Sequence, residues 1–404
     1  MTVTLDAPLT LPCGATLPNR IAKAAMSEQL ADPGGVPGEA LRALYRRWGA
    51  GGAGLLITGN VMIDPRALGE PGNVVLERPG AFSAFADWAD AARSEGSQVW
   101  VQLNHPGRQS PRMLSPQPVA PSAVALQGLG PAFAPPRALE THEVGAIVER
   151  FGDAAELCMR AGFDGVQVHA AHGYLISQFL SPLVNLRTDA WGGDPVRRRR
   201  FLLEVVRACR ARTRPGFAVG VKLNSADFQR GGFSEDESLE VVRLLGEEGV
   251  DLIEVSGGTY EKVAMWEGTQ QASTRKREAY FLEFAERARR VTEVPLMLTG
   301  GFRSRAGMAE ALASGAVDVI GLARPLAAEP DLPRRLLARE AEAALPIRIS
   351  VGVRKLNALA EASWYQLQIQ RMSRGEDPRP ELSSVRALFA GLRGAFRRPR
   401  RGYR

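Results

Sequence analysis

The sequence predicts an α/β protein, a (β/α)8 TIM barrel carrying a C-terminal helical extension and a basic tail. Short β-branched apolar runs occur eight times, each is followed by a turn and a longer stretch at helical spacing, and the eight pairs fill about 320 of 404 residues, the length of one such barrel. The strand runs are Arg20 to Met26, Gly54 to Asn60, Gln98 to Asn104, Gly165 to Ala171, Ala218 to Asn224, Leu252 to Gly258, Pro295 to Gly301 and Val317 to Ala323. Their near-continuous apolar character suits parallel strands covered on both faces. The helical stretches are Glu39 to Gly49, Phe82 to Glu95, Glu143 to Arg160, Arg197 to Arg212, Glu235 to Glu248, Ala279 to Thr292, Ser304 to Ser314 and Leu332 to Arg339. The barrel domain therefore takes residues 1–340. A helical extension follows over 341–381, with one helix from Val353 to Arg374, and an Arg-rich tail over 382–404.

Composition narrows the function. The chain is 45% hydrophobic and 24% charged, which suits a globular protein rather than a disordered one. Fifty-one Lys and Arg against 44 Asp and Glu give a formal charge of +7. The tail from Leu382 to Arg404 contains seven arginines and no acid, so residues 1–381 are formally neutral. The barrel thus lacks a basic nucleic-acid footprint, and the tail reads as a solvated, disordered extension. Cys13, Cys158 and Cys209 are too scattered for a zinc or iron–sulfur site. No signal peptide and no bilayer-spanning apolar run is apparent, so a soluble cytoplasmic protein is expected, as a possible homo-oligomer acting on a small molecule.

In a TIM barrel, chemistry belongs to the C-terminal ends of the strands and the loops that follow. Of the four histidines, His105 follows the third strand run, and His169 and His172 end the fourth. Two of these loops are long, Asn104 to Thr141 with eight of the 27 prolines, and Ala171 to Arg197, lengths usual for functional lids. The segment Val168-His169-Ala170-Ala171-His172-Gly173-Tyr174 places two imidazoles and a phenol where the chain leaves the buried strand. Two imidazole N–H groups can hold one oxygen while the phenol delivers a proton to a neighbouring carbon. A metal-binding pair, or two satisfied loop histidines, are the competing readings.

The run continues Leu175-Ile176-Ser177-Gln178-Phe179-Leu180-Ser181-Pro182, then Asn185, Arg187-Thr188-Asp189 and Trp191-Gly192-Gly193, ahead of the arginine-rich helix start at Arg197 to Phe201. This resembles the Old Yellow Enzyme family of FMN-dependent ene reductases, over about 30 residues here and more loosely along residues 9–340. The resemblance implies FMN across the barrel mouth and NADH or NADPH as reductant. Ala24, Ala25, Met26 and Ser27 match the segment that meets the flavin N5 and O4 edge, with Ser27 supplying a hydroxyl where relatives often have Thr or Cys. Asn60 and Gln102 follow on the second and third strands, Gln102 toward the pyrimidine edge. Lys222 stands where many relatives have Arg, a point charge near N1 and O2. Gly300, Gly301, Arg303 and Arg324 match the phosphate end, with Ala323 in place of the usual Gly.

The implied reaction is reduction of activated C=C bonds in α,β-unsaturated carbonyl or nitro compounds. Hydride comes from flavin N5, the carbonyl is held by His169 and His172, and the proton comes from Tyr174. Two other classes stay open: a non-redox phosphate-binding lyase or aldolase using Lys222, and a flavin-binding partner module. Branches of the superfamily with an added cluster domain need a cysteine quartet after the barrel, and no cysteine follows Cys209. Trp364-Tyr365 in the extension is expected to pack on the barrel, Arg197 to Arg200 to form a solvated helix face, and Gly69, Arg108 and Trp266 to sit near the mouth.

Overall fold

The computed structural model describes residues 3–76, 82–93, 96–128, 130–256, 281–352 and 354–397. The eight apolar runs form strands β1 Ile21–Lys23, β2 Leu55–Met62, β3 Gln98–Asn104, β4 Gly165–Ala170, β5 Ala218–Asn224, β6 Leu252–Ser256, β7 Leu296–Thr299 and β8 Val319–Leu322. Each pairs in parallel with its neighbours, and β1 pairs with both β8 and β2, which closes the barrel. The surrounding helices are α1 Glu39–Gly49, α2 Phe82–Ala92, α3 Thr141–Arg160, the short α4 Leu175–Leu180, α5 Pro195–Ala211, α6 Glu235–Glu247, α7 (described over 281–289), α8 Arg305–Ala313, α9 Arg324–Ala328 and α10 Leu332–Leu337. Residues 257–280, which include Trp266 and the expected ends of the sixth strand and following helix, lie outside the described residues. Helix starts follow local chemistry: Ser234 and Glu237 form a capping box on α6, and Asp194 caps α5 with Pro195 in its first turn.

The barrel interior is graded from apolar to polar. At the N-terminal end, Leu11 and Leu17 of the hairpin Leu9–Thr10/Thr16–Leu17 pack beneath Ala22, Leu55 and the fully buried Trp100. Gly165 and Gly220 make room for that indole, since a Cβ on either would approach it to 2.8 Å. Above this plug the inward positions become Gln102, Gln167, Lys222 and Glu254, so the polar chemistry collects at the C-terminal mouth.

The motif that carried the family resemblance proves to be mostly a clamp. Arg187 pairs with Asp189 and donates to the carbonyls of Pro121 and Leu139 in the long β3–α3 loop, and Asp189 also accepts from Thr141 at 2.9 Å. Asn185 donates to the carbonyls of Phe179 and Trp191, both at 2.8 Å. The two lid-length loops are thereby stapled to each other. The arginine run also departs from a solvated face: Arg198 is buried, donating to the carbonyls of Leu180 and Gly193 and pairing with Glu237, while Arg200 stacks over Trp191 at 4.7 Å.

Beyond the barrel, α11 (Arg354–Met372) occupies most of the expected helix. Residues 382–404 were expected to be disordered; instead α12 forms over Ser384–Arg397, and 398–404 lie outside the described residues. Ser384, Ala387, Leu388 and Gly391 recur at helical spacing and turn one face of small and apolar residues toward α11, whereas Val385, Phe389 and Leu392 remain exposed. Ala387 and Leu388 are buried, and Gly391 permits close packing on α11, because a Cβ there would lie 2.1 Å from Ser363 Oγ. Trp364 is buried between Ala328 and Ala387, and its indole N–H donates to Leu382. Among the described residues, no helix is long and apolar enough to cross a membrane.

Candidate active site

β4 delivers His169 to the mouth, and the turn after it brings back His172 and Tyr174. His172 adopts φ 61°, a left-handed turn that reverses the chain within three residues. The ring centroids of His169 lie 5.1 Å from His172 and 4.8 Å from Tyr174, both edge-on. Tautomers follow from the partners. The Ala171 amide donates to His169 Nδ1 at 3.2 Å, so a neutral ring carries its proton on Nε2. His172 Nε2 shares a 2.7 Å hydrogen bond with Ser256 Oγ, and the His172 amide donates to Asn224 Oδ1. Burial holds both imidazoles well below their ordinary pKa, with Lys222 adding a smaller push on each, and on His169 a neighbouring His172 as well. Both are therefore neutral N–H donors at pH 7, and the pair is not an imidazolium site. Asn60 Nδ2 donates to Tyr174 Oη at 3.3 Å, so the phenol oxygen is already an acceptor and the hydroxyl proton is the group it has to give.

Beneath this cluster runs a continuous polar chain across four strands. Gln102 donates to Gln167 at 2.7 Å, Gln167 donates to Glu254 at 2.8 Å, and Glu254 pairs with Lys222 at 2.9 Å. Lys222 lies beside His169 in the strand register. A Schiff-base nucleophile needs a lysine free to attack, whereas Lys222 is engaged by Glu254 at 2.9 Å at the end of this chain, which counts against the aldolase reading. Gln167 and Glu254 were not singled out from the sequence. Their only signal there was polarity at inward strand positions.

At β1, Ala24 is buried, while Ala25, Met26 and Ser27 are half-buried in the exit loop. The Ser27 hydroxyl donates to Glu70, which also accepts from Gln29 at 3.0 Å. Lys23, which sequence reasoning passed over, is fully buried on the outer face of the same strand. Its ammonium donates to the Ile57 carbonyl at 2.8 Å and lies 4.4 Å from the Trp48 ring, while Tyr45 donates to Glu28 beside it. Burial lowers its pKa to about 8, against the opposing pull of Glu28. A lysine inside Ile21-Ala22-Lys23-Ala24-Ala25 was the available signal. Lys23→Met should cost about 2 kcal/mol of stability in denaturant titration, because it removes a buried charged donor from the Ile57 carbonyl; an unchanged midpoint would count against that hydrogen bond.

At the opposite side of the mouth, Gly300 and Gly301 leave β7 at φ 135° and 81°, and nothing within 4 Å would meet a Cβ on Gly300. Arg303 follows β7. Ala323 caps α9, and Arg324 opens it. Burial lowers the pKa of Arg303, and the nearby charge of Arg324 lowers it a little further. Gly69 lies near the mouth against Met62 and Pro106, and Arg108 is buried, donating to the carbonyls of Val124 and Ala125.

Residues 4–342 match the NADH:flavin oxidoreductase / NADH oxidase family. The chain belongs to this family, the Old Yellow Enzyme family. It is 41% identical over 354 residues to the NADH-dependent flavin oxidoreductase iliE of Hypocrea jecorina, covering 82% of this chain and 88% of that protein. It is 43% identical over 335 residues to nadA of Aspergillus parasiticus, described by the same activity, covering 79% and 75%. Among solved structures, morphinone reductase in complex with tetrahydroNAD superposes with a TM-score of 0.71 at 29% identity, covering 84% of this chain and 92% of that one. The Old Yellow Enzyme homologue of Zymomonas mobilis superposes with a TM-score of 0.70 at 26% identity, covering 88% and 98%. This Old Yellow Enzyme family member is an oxidoreductase that uses FMN and NAD(P)H.

The residues present fit such a cofactor. Asn60 Oδ1 and Thr299 Oγ1 are buried at the mouth without a hydrogen-bond partner among the described residues. Gly300 is exposed and borders open space, and cations stand at both ends, Lys222 on one side and Arg303 with Arg324 on the other.

The buried histidines also set an acid limit. His105 is held down to about 4 by burial, and His169 is likewise depressed. Below the unfolded value of 6.5 the unfolded chain takes up protons that the folded chain refuses, so stability present above that pH falls as pH drops toward 4. Each fully buried ring contributes a slope of about 1.4 kcal/mol per pH unit in that window. The Arg-paired carboxylates act lower, as with Glu143, held at about 2 by Arg137. Denaturation across the window should show a shallower fall for His105→Gln than for the unaltered chain; identical slopes would contradict this origin.

Proposed function

We propose that this enzyme is an ene reductase, reducing the C=C bond of α,β-unsaturated carbonyl or nitro compounds at the expense of NADH. The observation that carries the reading is the packing of two neutral imidazoles and one phenol at the end of β4, with ring centroids 5.1 and 4.8 Å from His169. When bound, FMN supplies the redox chemistry, accepting hydride from the nicotinamide and passing it to the substrate's β-carbon. The protein's part is binding, orientation and proton delivery. His169 Nε2–H and His172 hold the carbonyl or nitro oxygen as neutral donors, drawing electron density from the alkene without presenting an acid strong enough to protonate it. Tyr174, steadied by Asn60, hands its hydroxyl proton to the α-carbon.

Gln102 and Lys222 are the residues to hold the pyrimidine edge, through the chain that ends at Glu254. Ala24 to Ser27 are assigned to the opposite edge of the ring. NADH is favoured over NADPH because the fungal relatives carry NADH-dependent names. The test is an anaerobic panel of enones, nitroalkenes and maleimides with each nicotinamide, followed by product analysis. Saturated product formed in step with NADH oxidation is expected. NADH oxidation only in the presence of oxygen, with every alkene returned intact, would assign the enzyme to oxidase chemistry.

A further inference from the structure

The two arginines beyond β7 and β8 find their partners outside the barrel, on α11. Arg324 Nη1 donates to the carboxylate of Glu361, and the Tyr365 hydroxyl lies near enough to the guanidinium of Arg303 for each to shift the other's pKa. Glu361 and Tyr365 are four residues apart, hence neighbours on one helix face. The helix is fixed beside this contact, where Gln366 donates to the Glu28 carbonyl beyond β1 and Trp364 is buried beneath. Two features make the cluster receptive to an anion. First, two guanidinium charges face one carboxylate, leaving an excess of one positive charge. Second, Tyr365 lies one turn along the face that carries Glu361 to Arg324, and because the guanidiniums beside it can only donate, its O–H is directed away from them as a donor for an anion. The place is also where a TIM barrel seats a phosphate, after the seventh and eighth strands.

We propose that α11 completes the FMN phosphate subsite, with Tyr365 as a phosphate-binding residue beside Arg303 and Arg324, and Glu361 as a positioning residue that holds Arg324 and whose charge tempers affinity for the phosphate. The proposal rests on the flavin site described above and extends it to the C-terminal extension. A phosphate monoester carries about −1.5 to −2 charge near neutral pH. It therefore gains a donor from Tyr365 and is repelled by Glu361, while the guanidinium of Arg324 has donors enough for both acids. Glu361→Gln keeps an oxygen for Arg324 and removes only the repulsion.

The test compares FMN with riboflavin, which has the ring and side chain but no phosphate. The full chain, stripped of flavin, is titrated with each by fluorescence quenching. Tyr365→Phe should weaken FMN binding about tenfold, the value of one charge-assisted hydrogen bond. Glu361→Gln should tighten FMN binding by roughly threefold or more at low salt, fading as salt screens the charge. Riboflavin affinity should stay constant in both variants, which also reports that the site is folded. Equal shifts for the two flavins, or no shift for FMN, would overturn the proposal in favour of a packing role for α11. Wild-type protein that holds both flavins equally would overturn it too while leaving the redox assignment standing. Failure to take either flavin would remove the cofactor reading and the proposal with it.

Discussion

Tyr174→Phe is expected to slow the reduction of an enone by about 10²- to 10³-fold while leaving reduction of the flavin by NADH unchanged. The phenol is buried, lies edge-on to His169, and accepts from Asn60 at 3.3 Å, so its proton is directed and its phenolate, once formed, has a donor waiting. Phenylalanine keeps the ring that packs on His169 and deletes only the hydroxyl. The loss therefore belongs to the half-reaction that needs a proton on carbon. Asn60→Ala should depress the same half-reaction by a smaller factor, since it removes the stabilising donor and leaves the acid. Rapid-mixing measurements of the two half-reactions separate these outcomes. Equal losses in both would remove Tyr174 from the role of proton donor.

The second large effect is expected at the histidines, and it is unequal. His169 has Nδ1 occupied by the Ala171 amide, which leaves Nε2–H as its donor, whereas His172 Nε2 is shared with Ser256 at 2.7 Å. His169→Ala should lower kcat/KM for the enone by about 10²-fold, in the range for loss of one oxyanion donor. His172→Ala should cost less, because part of its donor capacity is spent on Ser256. Because burial keeps both rings neutral, this contribution should stay level from pH 7 upward and should not follow an imidazole titration near 6.5. Steady-state kinetics of the two variants across pH check both statements; a larger loss at His172, or a titration near 6.5 in the enone reaction, would contradict the assigned tautomers.

Much of the architecture was legible because strand and helix periods are local properties. The eight runs became eight parallel strands, and Lys222 could be recognised as an inward cation because its neighbours Val221 and Leu223 are apolar. That His169, His172 and Tyr174 come together could be anticipated because six residues of sequence hold all three. Contacts set by the closed barrel were not legible. Glu254 meets Lys222 only through the β5–β6 register, and Gln167 bridges Gln102 to Glu254 only because the four strands β3 to β6 stand side by side. Glu361 and Tyr365 lie more than 30 residues beyond the arginines they touch, with nothing local to mark them.

Two expectations failed for a shared reason: net charge was read ahead of apolar spacing. The tail's arginines concealed the face of Ala387, Leu388 and Gly391 on which α12 packs, and the run Arg197 to Arg200 concealed that Arg198 turns inward to three partners.

The most direct measurement uses enzyme reduced anaerobically with one equivalent of NADH and then mixed with cyclohexenone. Flavin absorption is expected to return without oxygen, with one equivalent of cyclohexanone formed per flavin reoxidised. A flavin that stays reduced until air is admitted, with the enone recovered unchanged, would contradict the ene-reductase assignment.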